Sequence, residues 1–187
     1  MNLSKLELRK KLGLRERMKM ILIAGGGMGL TKYMDIIHSI NQFQETIQVI
    51  CMVGNNHRMR KKIKAIPCRH HIHILEFTND FMLYLKASDA IFTKAGGLTL
   101  AESLACETPI IIFKPVPGHE EQNAELLMEV GAALKVNHRN EIASILRKVL
   151  FEKELVISMK RKARKLKKPD AANQIVQQIL QLESNYN

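Results

Sequence analysis

Two stretches in the middle of the chain contain residue types that suit a ligand carrying both negative charge and hydroxyl groups. The first runs from Thr93 to Glu102 and places Gly96-Gly97 between an apolar run at 88–92 and a segment with helical spacing of apolar residues. Such a junction exposes backbone N–H groups at the positive end of a helix dipole, which suits phosphate. The carboxylate of Glu102, about one turn into the helix, would accept hydrogen bonds from ribose hydroxyls. The stretch therefore predicts a nucleotide site.

A second loop-to-helix junction is predicted after the apolar run at 109–113. Pro117-Gly118 leads into a helix that should begin near His119, with polar side chains on its first turn: Glu120, Glu121, Gln122 and Asn123. Acidic residues in a first helical turn also serve as N-terminal caps. The residues alone leave both a binding role and a capping role open for the two glutamates.

These two stretches resemble the C-terminal, donor-binding domain of family 28 glycosyltransferases. The resemblance rests on Thr-Lys-x-Gly-Gly-x-Thr-x-x-Glu, which starts at Thr93, and on Lys-Pro-x-Pro-Gly-x-Glu-x-x-Asn-Ala, which starts at Lys114. The chain is most similar to diacylglycerol glucosyltransferases and monogalactosyldiacylglycerol synthases, and more distantly similar to the lipid II N-acetylglucosaminyltransferase. The resemblance covers residues 20–172, which is nearly the whole chain.

The resemblance implies two sets of site residues. The uracil base should be held mainly by backbone groups just after the third strand, the diphosphate by the first loop and helix start, and the sugar by the second junction. The implied nucleotide-binding residues are Phe77, Thr78, Thr93, Lys94, Gly96, Gly97, Thr99 and Glu102. The implied phosphate- and sugar-binding residues are Gly26, Gly27, Met28, Pro117, Gly118, His119, Glu120, Gln122 and Asn123.

The chain departs from the family pattern at two of these loops. Ala95 stands where proline is frequent, and the neighbouring glycines are intact. His119 replaces the glutamine found in many lipid glycosyltransferases, which leaves the identity of the sugar open.

The first glycine loop, Gly25 to Gly29, follows an apolar run at 20–24 and predicts a strand, loop and helix unit. It does not match the dinucleotide fingerprint, because Leu30 occupies the last glycine position. No Asp or Glu follows the second apolar run, 47–53, at the place where an adenine-side ribose would be held. Both features argue against NAD.

The net charge of +11 requires an anionic partner. The basic residues concentrate in segments 1–18, 56–66 and 155–168. The last of these predicts an amphipathic helix that could lie on an anionic membrane, although a core-packed helix with a solvated basic face is favoured. Nucleic acid is disfavoured as a partner, because a chain with 5% aromatic residues and no Trp offers little surface for base stacking.

Metal and disulfide chemistry are not predicted. Cys51, Cys68 and Cys106 are odd in number and widely spaced. His71 and His73 share one face of a predicted strand, but no third ligand is near them in the sequence. No run is long enough to span a bilayer and no signal-peptide pattern opens the chain, so we expect a cytoplasmic protein, with peripheral attachment to the inner face of the cell membrane left open.

Strands alternate with helices, which predicts an α/β fold with a mostly parallel sheet, helices on both faces and a ligand at the carboxyl ends of the strands. The resemblance implies the Rossmann-like C-terminal half of a GT-B glycosyltransferase. We expect a basic linker or N-terminal helix at residues 1–18 and a UDP-sugar-binding domain at 19–187.

The activity that the resemblance implies is transfer of a hexose from a UDP-sugar, with UDP-glucose favoured, to diacylglycerol or a glycosyl-diacylglycerol. The reaction should be inverting and metal-independent, with no cofactor and the UDP-sugar as substrate. The lipid acceptor and the catalytic base are expected to come through an N-terminal acceptor domain or a partner chain, so this chain alone should bind UDP with little transfer. The alternatives are a non-catalytic UDP-sugar-binding partner or regulatory subunit and, less favoured, a basic nucleic-acid-binding protein.

Overall fold

The computed structural model describes residues 3–27 and 29–184, with side chains described as far as residue 182. Met28, which the sequence places among the phosphate- and sugar-binding residues, lies outside the described residues. The strands are β1 Met20–Ala24, β2 Gln48–Met52, β3 His71–Leu75, β4 Ala90–Thr93, β5 Ile110–Phe113 and β6 Ala133–Val136. The helices are α1 Lys5–Lys11, α2 Tyr33–Ile40, α3 His57–Lys64, α4 Phe81–Ala87, α5 Gly97–Ala105, α6 His119–Glu129, α7 Ile142–Phe151, α8 Lys153–Leu166 and α9 Ala171–Ser184, with a 3₁₀ turn at Arg139–Glu141.

The six strands form one parallel sheet in the order β3-β2-β1-β4-β5-β6. The central strands are buried on both faces, as expected for a parallel sheet covered by helices. Alternate residues of β1 belong to different cores: Ile21 and Ile23 pack on one face, and Leu22 packs on the other. The predicted fold class is confirmed, and the carboxyl ends of all six strands share one edge.

Helix α2 begins later than the sequence suggested. The pattern placed its start near Leu30, whereas the helix begins at Tyr33. The intervening residues form a turn in which the Leu30 N–H donates to the Gly25 carbonyl at 3.0 Å. Lys32, the N-cap residue, has a non-helical backbone with a ψ of 56°, so the regular helix begins only at Tyr33.

Helix α1 is anchored at the amino edge of the sheet by an ionic cluster around Asp89, the residue before β4. The buried Arg9 donates to one Asp89 oxygen at 2.8 Å, and Lys5 donates to the other at 2.8 Å. The backbone N–H of Met20, the first residue of β1, also donates to Asp89 at 2.8 Å. The cluster ties α1 to the starts of two central strands.

Helix α8 crosses the same amino edge. Its Arg164 and Lys167 both bond to Glu107, which lies in the turn before β5, at 2.7 Å. Lys162 packs beside Gly131, which precedes β6. The basic face of α8 is therefore at the opposite end of the sheet from the carboxyl ends of the strands. In α9, which follows, the apolar residues Ile175, Val176 and Ile179 are each more than half exposed.

At the carboxyl edge, the loops after β1 and β2 touch through their backbones. A Cβ atom on Gly54 would lie 2.1 Å from the Gly27 carbonyl oxygen, and one on Gly29 would lie 2.0 Å from the Val53 carbonyl oxygen. Both glycines also have positive φ angles, 54° and 59° respectively. Only glycine fits these two positions without moving the backbone.

The contact between these loops predicts that Gly54→Ala strongly destabilises the fold. Gly13 is a matched control, because its φ is +67° and nothing lies within 4 Å of its Cβ position. Both substitutions should lower the free energy of unfolding by about 1–2 kcal/mol, because alanine is disfavoured in the left-handed conformation. Gly54→Ala should lower the free energy of unfolding by at least about 2 kcal/mol more than Gly13→Ala, because its added methyl group meets backbone atoms. Urea unfolding of both variants measures the difference, and equal losses would contradict the close approach.

Candidate functional site

A cleft of about 380 Å³ opens at the carboxyl edge of the sheet. It lies over the row β3-β2-β1-β4, with the loop after β3 at one end and helix α5, which follows β4, at the other. The strand order decides this arrangement, because parallel strands present their loops along one edge. The lining residues are Ala24, Gly26, Gly27, Met52, Gly54, Glu76, Phe77, Thr78, Asn79, Phe81, Met82, Leu98, Thr99 and Glu102.

Glu102 lies one turn into α5 and lines the cleft as the sequence suggested. Its carboxylate has no hydrogen-bond or ion-pair partner among the residues that the structure describes. Partial burial raises the pKa of Glu102 above its ordinary value, because the charged form loses hydration. A partly buried carboxylate without a partner can accept hydrogen bonds from a ligand.

The start of α5 offers backbone donors beside that carboxylate. Gly96 is the N-cap residue and has no side chain that could accept hydrogen bonds from the N-terminal N–H groups of the helix. Leu98 and Thr99 on the first turn line the cleft, and the Leu98 side chain is 85% exposed. This end of the cleft is suited to an anion.

The second junction braces the first loop. Glu120 on α6 pairs with Lys94 at 2.5 Å and accepts from the Val116 N–H at 2.9 Å. The Asn123 amide donates to the Ala95 carbonyl at 3.2 Å. These bonds hold the loop after β4 against the start of α6.

Ala95 sits in this braced loop with a φ of +72° and is fully buried. The ring of proline confines φ to about −65°. A proline could therefore not adopt the backbone conformation that Ala95 has here.

The cleft brings together six of the residues that the sequence indicated: Gly26, Gly27, Phe77, Thr78, Thr99 and Glu102. The others that are described lie outside its lining: Thr93, Lys94, Gly96, Gly97, Pro117, Gly118, His119, Glu120, Gln122 and Asn123. Thr93 is buried in β4, whereas the remaining members surround the starts of α5 and α6.

Sequence reasoning missed several lining residues, above all Glu76 and Asn79. The available signal was their position, since both lie within four residues of the end of β3 and therefore at the carboxyl edge. Gly54 and Met52 were missed because their contribution depends on the packing of neighbouring loops.

The described ranges, 3–27 and 29–184, contain no group of three or more His, Cys, Asp or Glu residues arranged to hold a metal ion. None of their helices combines the length and apolar character needed to cross a bilayer.

A family model described as the glycosyltransferase family 28 C-terminal domain matches residues 20–175, which is most of the chain.

The chain belongs to glycosyltransferase family 28.

Two curated relatives are longer than this chain. A processive diacylglycerol beta-glucosyltransferase of Bacillus subtilis is 28% identical over 173 residues, which cover 91% of this chain and 45% of the relative. Monogalactosyldiacylglycerol synthase 2 of Arabidopsis thaliana is 29% identical over 184 residues, which cover 94% of this chain and 39% of the relative. The chain therefore spans less than half the length of either relative.

Solved structures support the GT-B fold. MurG of Acinetobacter baumannii superposes with a TM-score of 0.73 at 22% identity, covering 89% of this chain and 54% of MurG. The glycosyltransferase WaaG, involved in lipopolysaccharide biosynthesis, superposes with a TM-score of 0.69 at 16% identity, covering 88% of this chain and 47% of WaaG. The chain has the fold of one half of a GT-B glycosyltransferase.

The raised pKa of Glu102 predicts that this side chain costs stability in the empty domain. The ionised form is disfavoured by folding, so its cost is present at pH 7 and disappears as pH falls below the ordinary value of 4.5. Glu102→Gln should therefore raise the melting temperature at pH 7 and should match the parent protein below pH 4.5. Thermal unfolding across this pH range measures the difference, and a variant less stable than the parent at pH 7 would contradict it.

Proposed function

We propose that this chain is the donor-binding domain of a glycosyltransferase that transfers a hexose from a UDP-sugar, with UDP-glucose favoured, to diacylglycerol or a glycosyl-diacylglycerol. The observation that carries the proposal is the carboxylate of Glu102, which has no partner within the described part of the chain and lines a cleft one turn after the glycine-rich start of α5. Ribose hydroxyls would donate to this carboxylate, and the diphosphate would lie against the backbone N–H groups of α5. Membership of family 28 and the names of the two curated relatives support the class of donor and acceptor.

The other residues indicated by the sequence have proposed roles around this centre. Thr93 and Lys94 support the diphosphate loop, and the glycines at 96 and 97 leave space for it. A Cβ atom on either glycine would meet only the Glu120 or Asn123 side chain, at 3.8 Å and 3.9 Å. The hexose would lie between Gly26-Gly27 and the second junction, 117–123.

Helix dipoles and backbone donors would stabilise the departing UDP, so the proposed reaction needs no metal or cofactor. That the reaction is inverting is what the family resemblance implies. The acceptor and the catalytic base would come from the other half of a family 28 transferase, in the same protein or as a partner chain. We propose that this half packs against the carboxyl edge, where Leu30, Phe77, Leu98 and Val116 are all more than half exposed.

The position of α8 bears on membrane attachment. Its basic face lies at the amino edge, whereas the cleft opens at the carboxyl edge. An anionic membrane bound by α8 would therefore leave the cleft pointing away from the lipid. We propose that the lipid reaches the site through the acceptor half, at the cytoplasmic face of the membrane.

Calorimetric titration tests the donor site. We expect binding of UDP and its sugars, with no binding of NAD. Glu102→Ala should weaken UDP binding about tenfold to a hundredfold, since hydrogen bonds to a charged acceptor contribute roughly 1.5–3 kcal/mol. Glu154→Ala, which removes an exposed carboxylate on α8, is the matched control and should bind like the parent.

Unchanged UDP affinity in Glu102→Ala would contradict the proposed role of this carboxylate in binding the ribose. If UDP does not bind the chain alone at millimolar concentration, the chain should be joined to the acceptor half of the Bacillus subtilis relative and titrated again, and continued absence of binding would reject the donor site. The same fusion tests catalysis, because a non-catalytic UDP-sugar-binding subunit would bind donor without transferring hexose to diacylglycerol.

A further inference from the structure

The cleft contains a second carboxylate, Glu76, which directly follows β3 and is next to Phe77. One of its oxygens accepts a hydrogen bond from the Arg60 guanidinium on α3, and the same oxygen lies 3.8 Å from His57 Nδ1. No hydrogen bond is made to its other oxygen among the residues that the structure describes. Glu76 is thus held in place by one oxygen with the other available.

The charge of the cleft restricts what Glu76 can face. Glu76 and Glu102 both line it, and no Lys, Arg or His is found among the described lining residues. Phosphate groups and carboxylates repel each other at short range. A nucleoside diphosphate must therefore turn N–H or O–H donors towards both carboxylates, and the Arg60 ion pair lowers the repulsion from Glu76.

Position along the sheet separates the two carboxylates. Strands β2 and β1 lie between the loop that carries Glu76 and the strand that leads into α5. If the phosphates and ribose lie at α5, the far end of the cleft remains for the base. Phe77, which directly follows Glu76, lines the cleft and offers an aromatic surface on which a planar base can pack.

We propose that the Glu76 carboxylate accepts a hydrogen bond from an N–H group on the edge of the nucleobase and thereby sets the choice of base. For uracil the donor is N3–H, and Arg60 is a positioning residue that orients the carboxylate. This inference rests on the proposed function for a nucleotide in the cleft. It goes beyond that function by assigning base selection to a side chain in addition to the backbone near Thr78.

Methylation of uracil at N3 provides the test, because N3-methyl-UDP lacks the donor. Calorimetry should show that the parent chain binds UDP at least tenfold more tightly than N3-methyl-UDP. Glu76→Ala should reduce this ratio about tenfold, whereas a purely structural loss would weaken both ligands equally. Arg60→Ala should also reduce the ratio. Arg60→Lys, which keeps the positive charge, should have the same ratio as the parent.

Glu45→Ala is the matched control, because Glu45 is an exposed glutamate paired with Arg147 away from the cleft. It should keep the parent ratio. If UDP binds and Glu102→Ala weakens it, but Glu76→Ala leaves the ratio unchanged, the base assignment is wrong and the donor site stands. If UDP binds neither the chain nor its fusion to an acceptor half, both proposals fail.

Discussion

The direct backbone contact between the loops after β1 and β2 is the constraint on which the cleft depends. Gly29 lies against the Val53 carbonyl and Gly54 against the Gly27 carbonyl, so neither position has room for a side chain. The Tyr33 hydroxyl donates to the Met52 carbonyl and closes the same corner. Because these loops meet without intervening side chains, backbone forms the floor of the cleft, and side chains enter it mainly from the loop after β3, the start of α4 and α5.

The two edges of the sheet have different chemistry. At the amino edge, ion pairs fix helices α1 and α8, and hydrogen bonds from Arg164 and Lys167 lower the pKa of Glu107 to about 2. Asp89 is likewise surrounded by partners. At the carboxyl edge, Glu102 has no partner among the described residues, and its pKa is raised by burial. The carboxylates of the amino edge are satisfied, whereas in the cleft Glu76 keeps one oxygen and Glu102 keeps both oxygens without a hydrogen bond among the described residues.

The loop after β4 shows that residues of the family motifs can have a structural role. Lys94 and Asn123 belong to the two motifs, and they hold the loop in place by bonding to Glu120 and to the Ala95 carbonyl respectively. The same bonds support the left-handed backbone at Ala95, which a residue other than glycine adopts at a cost. A motif residue can therefore position the site without lining it.

The sequence by itself determined the order of the elements, the fold class and the position of Glu102 one turn into α5. These depend on local pattern, because apolar runs, glycine breaks and helical spacing are properties of neighbouring residues. Only the tertiary structure decided that Glu76 and Asn79 line the cleft, that Glu120 pairs with Lys94, and that the basic face of α8 lies away from the site. Each of these depends on which strands are neighbours in the sheet, and residues that are distant in the chain carry no local signal of such contacts.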